Sequence, residues 1–318
     1  MSNQSIRLSH IAVAALILAA FSLAIVAPHA AAKAPKHAPA PVATGTIYGG
    51  QTSQHDPFVL KLSADRTQVA GLVLQVDTTC GDGTGVSYYG PATFADKKPT
   101  ASDVRPGSSL FAPRVLSRTG SLTAAGIGAK FDGDVIDVLA AKLTIHVHGN
   151  RASGSLTAIV LEASPQTGDI KTSCHAVTTW QATSTPGQIF GGQTSQGFPV
   201  VVQASAAGDM VDALRFGWAA TCSDSSTIGF GDALSGLPLQ SNGAFNSTIP
   251  LDTQDSGTTV HAQYVVQGQL SHTSASGSID VSATLTDSTG AARTCDTMPR
   301  HWTARTSAPL AKATTKKP

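Results

Sequence analysis

Glutamate is all but absent from this chain. Of its 20 acidic residues 19 are Asp, and Glu162 stands alone. Glu is a good helix former, whereas Asp competes with the helical backbone and suits turns, so the imbalance points away from a helical protein. The cysteines contain no C-x-x-C pair, which removes the closely spaced ligands that structural zinc sites favour. No G-x-S-x-G, H-E-x-x-H or G-x-x-x-x-G-K-[ST] signature occurs, so the usual nucleophile elbow, zincin helix and phosphate loop are missing. There is no basic excess either. Residues 44–306 hold 15 Lys and Arg against 20 acidic residues, a net of −5. That argues against a nucleic-acid-binding role, which needs a concentrated cationic surface. Only one apolar stretch approaches membrane-spanning length, and it lies at the N-terminus.

That stretch reads as a signal peptide over residues 1–32. Arg7 gives a positive start, Ile11–Ala27 is an apolar run of 17 residues, and Ala30-Ala31-Ala32 offers small residues for cleavage. The alternative is an uncleaved membrane anchor, since the run is near the lower limit for a spanning helix. No Cys ends the run, so nothing indicates a lipoprotein. Residues 33–43 form a Pro/Ala-rich linker, an extended spacer by composition. Residues 307–318 read as a disordered tail.

Between these ends the chain repeats itself, the first thing to seek in a sequence of this length. Gly49-Gly50-Gln51-Thr52-Ser53-Gln54 recurs as Gly191-Gly192-Gln193-Thr194-Ser195-Gln196, an offset of 142. The same offset maps Pro57, Leu72 and Cys80 onto Pro199, Leu214 and Cys222. A second register maps Ser153-Gly154-Ser155 onto Ser276-Gly277-Ser278, and Cys174-to-Trp180 matches Cys295-to-Trp302 with one extra residue. Two domains follow, 44–185 and 186–306, joined at Thr185-Pro186-Gly187. The hexamer resembles a phosphate loop only superficially, and reads as a turn before the first strand that uses glycine's φ freedom.

Within each copy the apolar period is two, the signature of strands. Phe58, Leu60 and Leu62 form one face, as do Leu72, Leu74 and Val76. A hairpin runs through Thr144–His148, turns at Gly149-Asn150 and returns over Ser155–Ala158. With about eight strands per copy, the fold class is all-β: two tandem β-sandwich or jelly-roll-like domains, with small β-barrels as the alternative.

Four cysteines allow three pairings. Cys80–Cys174 with Cys222–Cys295 is the one that treats the copies alike, and an exported chain is expected to be oxidised. Each bridge closes a long loop, worth about 4 kcal/mol in the chain-entropy treatment. Trp180 and Trp302, shared by both copies, read as buried rings packed against the bridges.

Three groups of residues are candidate sites. His146 and His148, at i and i+2, share one strand face, a spacing that metal sites on β-scaffolds use, with solvated histidines as the alternative. Copy two has Val265 and Gln267 at the matching positions. Asp132, Asp134 and Asp137 surround a Gly and suit Ca²⁺, against ordinary Asp-rich turn chemistry. Copy two has Asp252 and Asp255 nearby, out of register. Third, with Gly149 aligned to Gly268, copy one carries 23 extra residues around Gly90–Ser117. This stretch holds Lys97, Lys98, Arg105, Arg114 and Arg118 and follows Tyr88 and Tyr89. A long loop on a rigid β-scaffold is where recognition tends to sit, and a disordered insertion is the alternative. Phe230 lies opposite Tyr88, which suggests a buried Tyr88.

Gly-Gly-Gln-Thr-Ser-Gln followed by Pro, an apolar strand and Cys80, with Cys174 and Trp180 at the end, resembles tandem β-domain repeats of uncharacterised secreted bacterial proteins. The resemblance covers about residues 44–306 and implies an address and a fold, with no activity attached. Together these features describe a secreted, non-catalytic structural, adhesive or binding protein that presents loops on a tandem β scaffold. A cell-envelope or extracellular polysaccharide is the partner class, no cofactor is required beyond the Ca²⁺ the Asp cluster suits, and a membrane enters only through an uncleaved N-terminus. The alternative is an extracellular hydrolase or its carbohydrate-binding accessory. Nineteen Asp offer many carboxylate pairs for such an enzyme, and none is singled out.

Overall fold

A computed structural model describes residues 42–307, except 101–102, 105–106, 133–134, 165–166 and 256–257. The signal-like segment, most of the linker and the tail beyond Ser307 lie outside the described residues. Eighteen strands and no α-helix are present among those described. The first unit comprises β1 (Thr44–Thr52), β2 (Pro57–Ser63), β3 (Val69–Cys80), β4 (Gly85–Phe94), β5 (Ser108–Ala112), β6 (Ser121–Asp132), β7 (Val135–His148), β8 (Arg151–Ala163) and β9 (Ile170–Thr183). The second comprises β10 (Ile189–Thr194), β11 (Pro199–Ala204), β12 (Met210–Cys222), β13 (Thr227–Pro238), β14 (Ala244–Asp255), β15 (Thr258–Leu270), β16 (Ser274–Thr286), β17 (Ala292–Asp296) and β18 (Arg300–Thr306).

The all-β expectation holds, and the barrel alternative describes the first unit. Its strands pair in chain order and β9 returns to β1, closing the sheet. All neighbours are antiparallel except β4 and β5, which run parallel. The second unit pairs in the order β13-β12-β11-β10-β18-β16-β15-β14, with β17 between β12 and β16. It has no equivalent of β5, so β13 and β14 end its sheet as free edges among the described residues. β9 shows why the sequence chooses strands: Cys174, Ala176, Thr178, Trp180 and Ala182 point inward while their neighbours face out. Each unit encloses its own core, one around Phe58, Leu74, Phe111 and Trp180, the other around Phe216, Trp218, Tyr264 and Trp302.

The bridges are Cys80–Cys174 and Cys222–Cys295, as the symmetry of the copies requires. Each joins directly paired residues on neighbouring strands. Trp180 and Trp302 are buried, but their neighbours are not the bridges. Six strand residues carry Trp180 roughly 20 Å along from Cys174, where it stacks on Phe58 with ring centroids 4.3 Å apart.

Strand pairing also corrects the register. Leu122 opposes Ile145 on β6 and β7, and Phe245 opposes Gly268 on β14 and β15. The offset is therefore 123 beyond the insertion against 142 before it, so the extra material is 19 residues. Gly268 is not a turn glycine: it lies within β15 because the Phe245 ring fills the space that Ile145 takes in the first unit. His146 and His148 consequently match Gln269 and Ser271, and Asp132 matches Asp255 at the ends of equivalent hairpins.

The two units meet along a seam with approximate two-fold symmetry. Ile47, Val59, Val73 and Val201 form a separate buried apolar cluster. A Cβ on Gly49 would lie 2.7 Å from Val201 Cγ1, and one on Gly191 would lie 2.7 Å from Val59 Cγ1, the symmetry-related contact. The first four residues of the hexamer are thus strand and only its last two are turn, and neither leading glycine has positive φ. Its first glycine admits the other unit. The second lets β9 or β18 approach, since a Cβ there would meet a backbone carbonyl at 1.9 or 1.8 Å. Thr52 and Thr194 each accept backbone N–H bonds from two and four residues on. Gln54 and Gln196 donate to the Asp77 and Ala219 carbonyls.

Candidate binding cleft

Beside the seam lies a cleft of about 860 Å³. β1, β7, β8 and β9 supply one side through Gln51, His146, His148, Arg151, Ser153 and Gln181; β10, β11 and β12 supply the other through Ile189, Val201, Gln203 and Arg215. Thr119 and Ser121 complete the rim. The strand period puts His146 and His148 on the outer face together, as their spacing predicts, and both reach this cleft. His146 Nδ1 lies 3.0 Å from Ser121 Oγ, which leaves Nε2 as its second polar atom.

Arg215 occupies the position that Val73 holds in the first unit. Its Nε donates to Gln51 Oε1 at 2.7 Å, and burial pulls the guanidinium below its ordinary pKa. The lining holds two Arg and two His and no Asp or Glu. A positive cleft therefore sits on a folded region of net negative charge.

The other candidate residues lie elsewhere. Tyr88 is buried, with its hydroxyl 2.9 Å from Ser109 Oγ, and burial pushes its pKa up to about 12. Tyr89 stacks on Phe198 of the second unit with Lys130 Nζ 3.6 Å from its ring centroid, so both of its faces are occupied. Arg114 forms a bidentate pair with Asp96 at 2.7 and 2.9 Å. Lys97 and Lys98 are exposed, and Lys98 borders a shallow 370 Å³ depression with Asp96 and Lys142. The insertion is built into the barrel through β5 and Phe111, which is 0% exposed. Arg105, Asp134 and the Asp132 side chain fall outside the described residues. Asp137 is buried in β7 opposite Lys130 and Glu162. It lies nine residues, roughly 30 Å, from His146, so the two proposed metal clusters do not converge. Among the described residues no three His, Cys, Asp or Glu side chains gather as a metal site.

Sequence reasoning found the histidines and missed Arg151, Arg215, Gln51 and Gln203. The signal was present: Ile47 and Ile189, and Val59 and Val201, are outward-facing apolar residues kept in both copies. Such a pattern marks a second buried face, and Arg215 interrupts it. Comparison with family models, curated proteins and solved structures finds no match for this chain. The fold and the cleft define a two-unit, disulfide-bridged all-β protein, and the bridges fit an oxidising compartment. No helix among the described residues is long and apolar enough to cross a membrane.

Proposed function

We propose that this chain is an exported, non-catalytic binding protein in which duplicated β units hold a cleft toward an extracellular or cell-envelope polysaccharide. The observation that carries the reading is the cleft itself, whose polar side chains come from both units and are guanidinium, imidazole, amide and hydroxyl groups. Such groups orient a polar ligand by hydrogen bonds and charge. Export is supported by Arg7, the apolar run and the Ala-rich exit at the N-terminus, together with the two bridges. A glycoside hydrolase would need a carboxylate pair open to a sugar. The neighbouring carboxyls of Asp56 and Asp77 do not fit, because Asp56 is 2% exposed and packs against Gly231 of the second unit.

The test uses mature protein beginning at Lys33, sedimented with insoluble polysaccharides and cell-wall preparations while released reducing sugar is assayed. Saturable pelleting without release is expected. Release of sugar would overturn the non-catalytic reading, and absence of pelleting from every preparation would overturn the polysaccharide reading.

A further inference from the structure

We propose that the inter-unit cleft is specific for anionic groups, the carboxylates or sulfates of an acidic polysaccharide, with Arg215 as the charge anchor; this rests on the binding reading above. The position of Arg215 is the reason. Its counterpart Val73 is 1% exposed, within the apolar cluster of Ile47, Val59 and Val201. The seam would close with an aliphatic residue there, as it does on the other side of the two-fold. An Arg instead brings a charge into a half-buried place, which costs free energy unless an anion compensates it. The described residues supply none. The partner of the guanidinium Nε is the neutral Gln51 amide, and no carboxylate among the described residues pairs with Arg215 or with Arg151 across the cleft.

A guanidinium presents a planar fork of donors that matches a carboxylate or sulfate, and a partly desolvated one gains most from such a partner. Gln203 and Ser153 offer neutral donors and acceptors for sugar hydroxyls. With a net of −5 over residues 44–306, an anionic polymer is repelled by much of the surface and drawn to this cleft.

Full mature chain is titrated calorimetrically with polygalacturonate, dextran sulfate and neutral dextran at low salt. Saturable binding of at least one polyanion, with none of dextran, is expected. Which polyanion binds separates a carboxylate source from a sulfate source. Arg215→Gln should weaken that binding about tenfold or more, and Arg151→Gln, on an exposed residue whose replacement leaves folding intact, should weaken it several-fold. Lys61, a half-buried cation of β2 near Arg305 of the second unit, lies outside the cleft lining, and Lys61→Gln should leave affinity within twofold. Equal losses in all three variants would show attraction to the cationic seam at large and overturn the assignment. Binding of dextran, unaffected by Arg215→Gln, would overturn the anion specificity while leaving the binding protein intact. Absence of binding to every polymer would overturn both.

Discussion

Asp56 is a residue at which joining the two units carries a cost. Phe198 is its equivalent in the second unit, and stacks on Tyr89. Across the two-fold the corresponding contact sets the Asp56 carboxyl against Gly231. Burial, and then the nearby Asp77 charge, push the Asp56 pKa up to about 8. In the unfolded chain the group ionises near its ordinary value of 3.8, so between about pH 4 and pH 8 the fold holds a proton that the unfolded chain has released. Stability must therefore fall as pH rises through that window, and is least penalised below it. Asp56→Asn keeps the shape and removes the titration. Urea unfolding of the two proteins at pH 4, 6 and 8 should show the wild-type midpoint falling relative to the variant. Parallel pH profiles would show that Asp56 does not titrate in this way. Nothing in the local sequence His-Asp-Pro announced this carboxyl, because its environment comes from a glycine 175 positions away. The cysteine pairing and the shared face of His146 and His148 were legible because each depends on strand period and symmetry alone. The burial of Tyr88 was suggested by its match to Phe230, whereas the role of Tyr89 was not legible, since the neighbouring unit claims that ring.

At the scale of elements, β5 decides the difference between a closed and an open sheet. Strand existence was legible from the period-two pattern, whereas an inserted strand of five residues amid Pro and Gly looks like a loop. Its pairing explains its composition: Ser109, Leu110 and Phe111 lie beside Ala92, Thr93 and Phe94 of β4, while Phe111 opposes Gly126 of β6, whose missing side chain makes room for the ring. The second irregularity is the single extra residue between Cys295 and Trp302. It breaks what is continuous β9 in the first unit into β17 and β18 around Thr297-Met298-Pro299, where Met298 has φ of 48° and Thr297 exchanges hydrogen bonds with Val281. Because β4 and β6 have partners on both edges and β13 and β14 on one, hydrogen exchange should be slower across β4 and β6 than across β13 and β14. Phe111→Ala removes a fully buried ring, costing roughly 3–5 kcal/mol, and should bring β4 and β6 to the exchange rates of β13 and β14. Fast exchange of β4 in the wild-type protein would show that β5 does not seal the barrel.

For the whole molecule, the seam makes two units into one body. β2 is buried on both faces, with Phe58, Leu60 and Leu62 in its own core and Val59 against the second unit. Ser307, the last residue described, reaches from the end of the second unit to the backbone N–H and C=O of Ile47 in the first. Ser307, assigned to the tail from sequence, is thus packed into the seam. The duplication could be read from sequence, but the seam could not, because a partner surface adds no periodicity of its own and leaves only apolar residues where an isolated sheet would expose polar ones. The consequence concerns cooperativity. Val201→Asp would set a carboxylate against Gly49 within the apolar seam, where an unpaired charge is strongly disfavoured, while the Val201 side chain belongs to neither unit's central core. Each unit keeps its disulfide and its own aromatic centre. Scanning calorimetry of the wild-type chain should therefore give one transition for both units, and Val201→Asp should split it into two at lower temperatures, with both bridges intact. A single unshifted transition in the variant would mean that the seam contributes little to stability and that the units are coupled mainly by the short joint at Thr185-Pro186-Gly187.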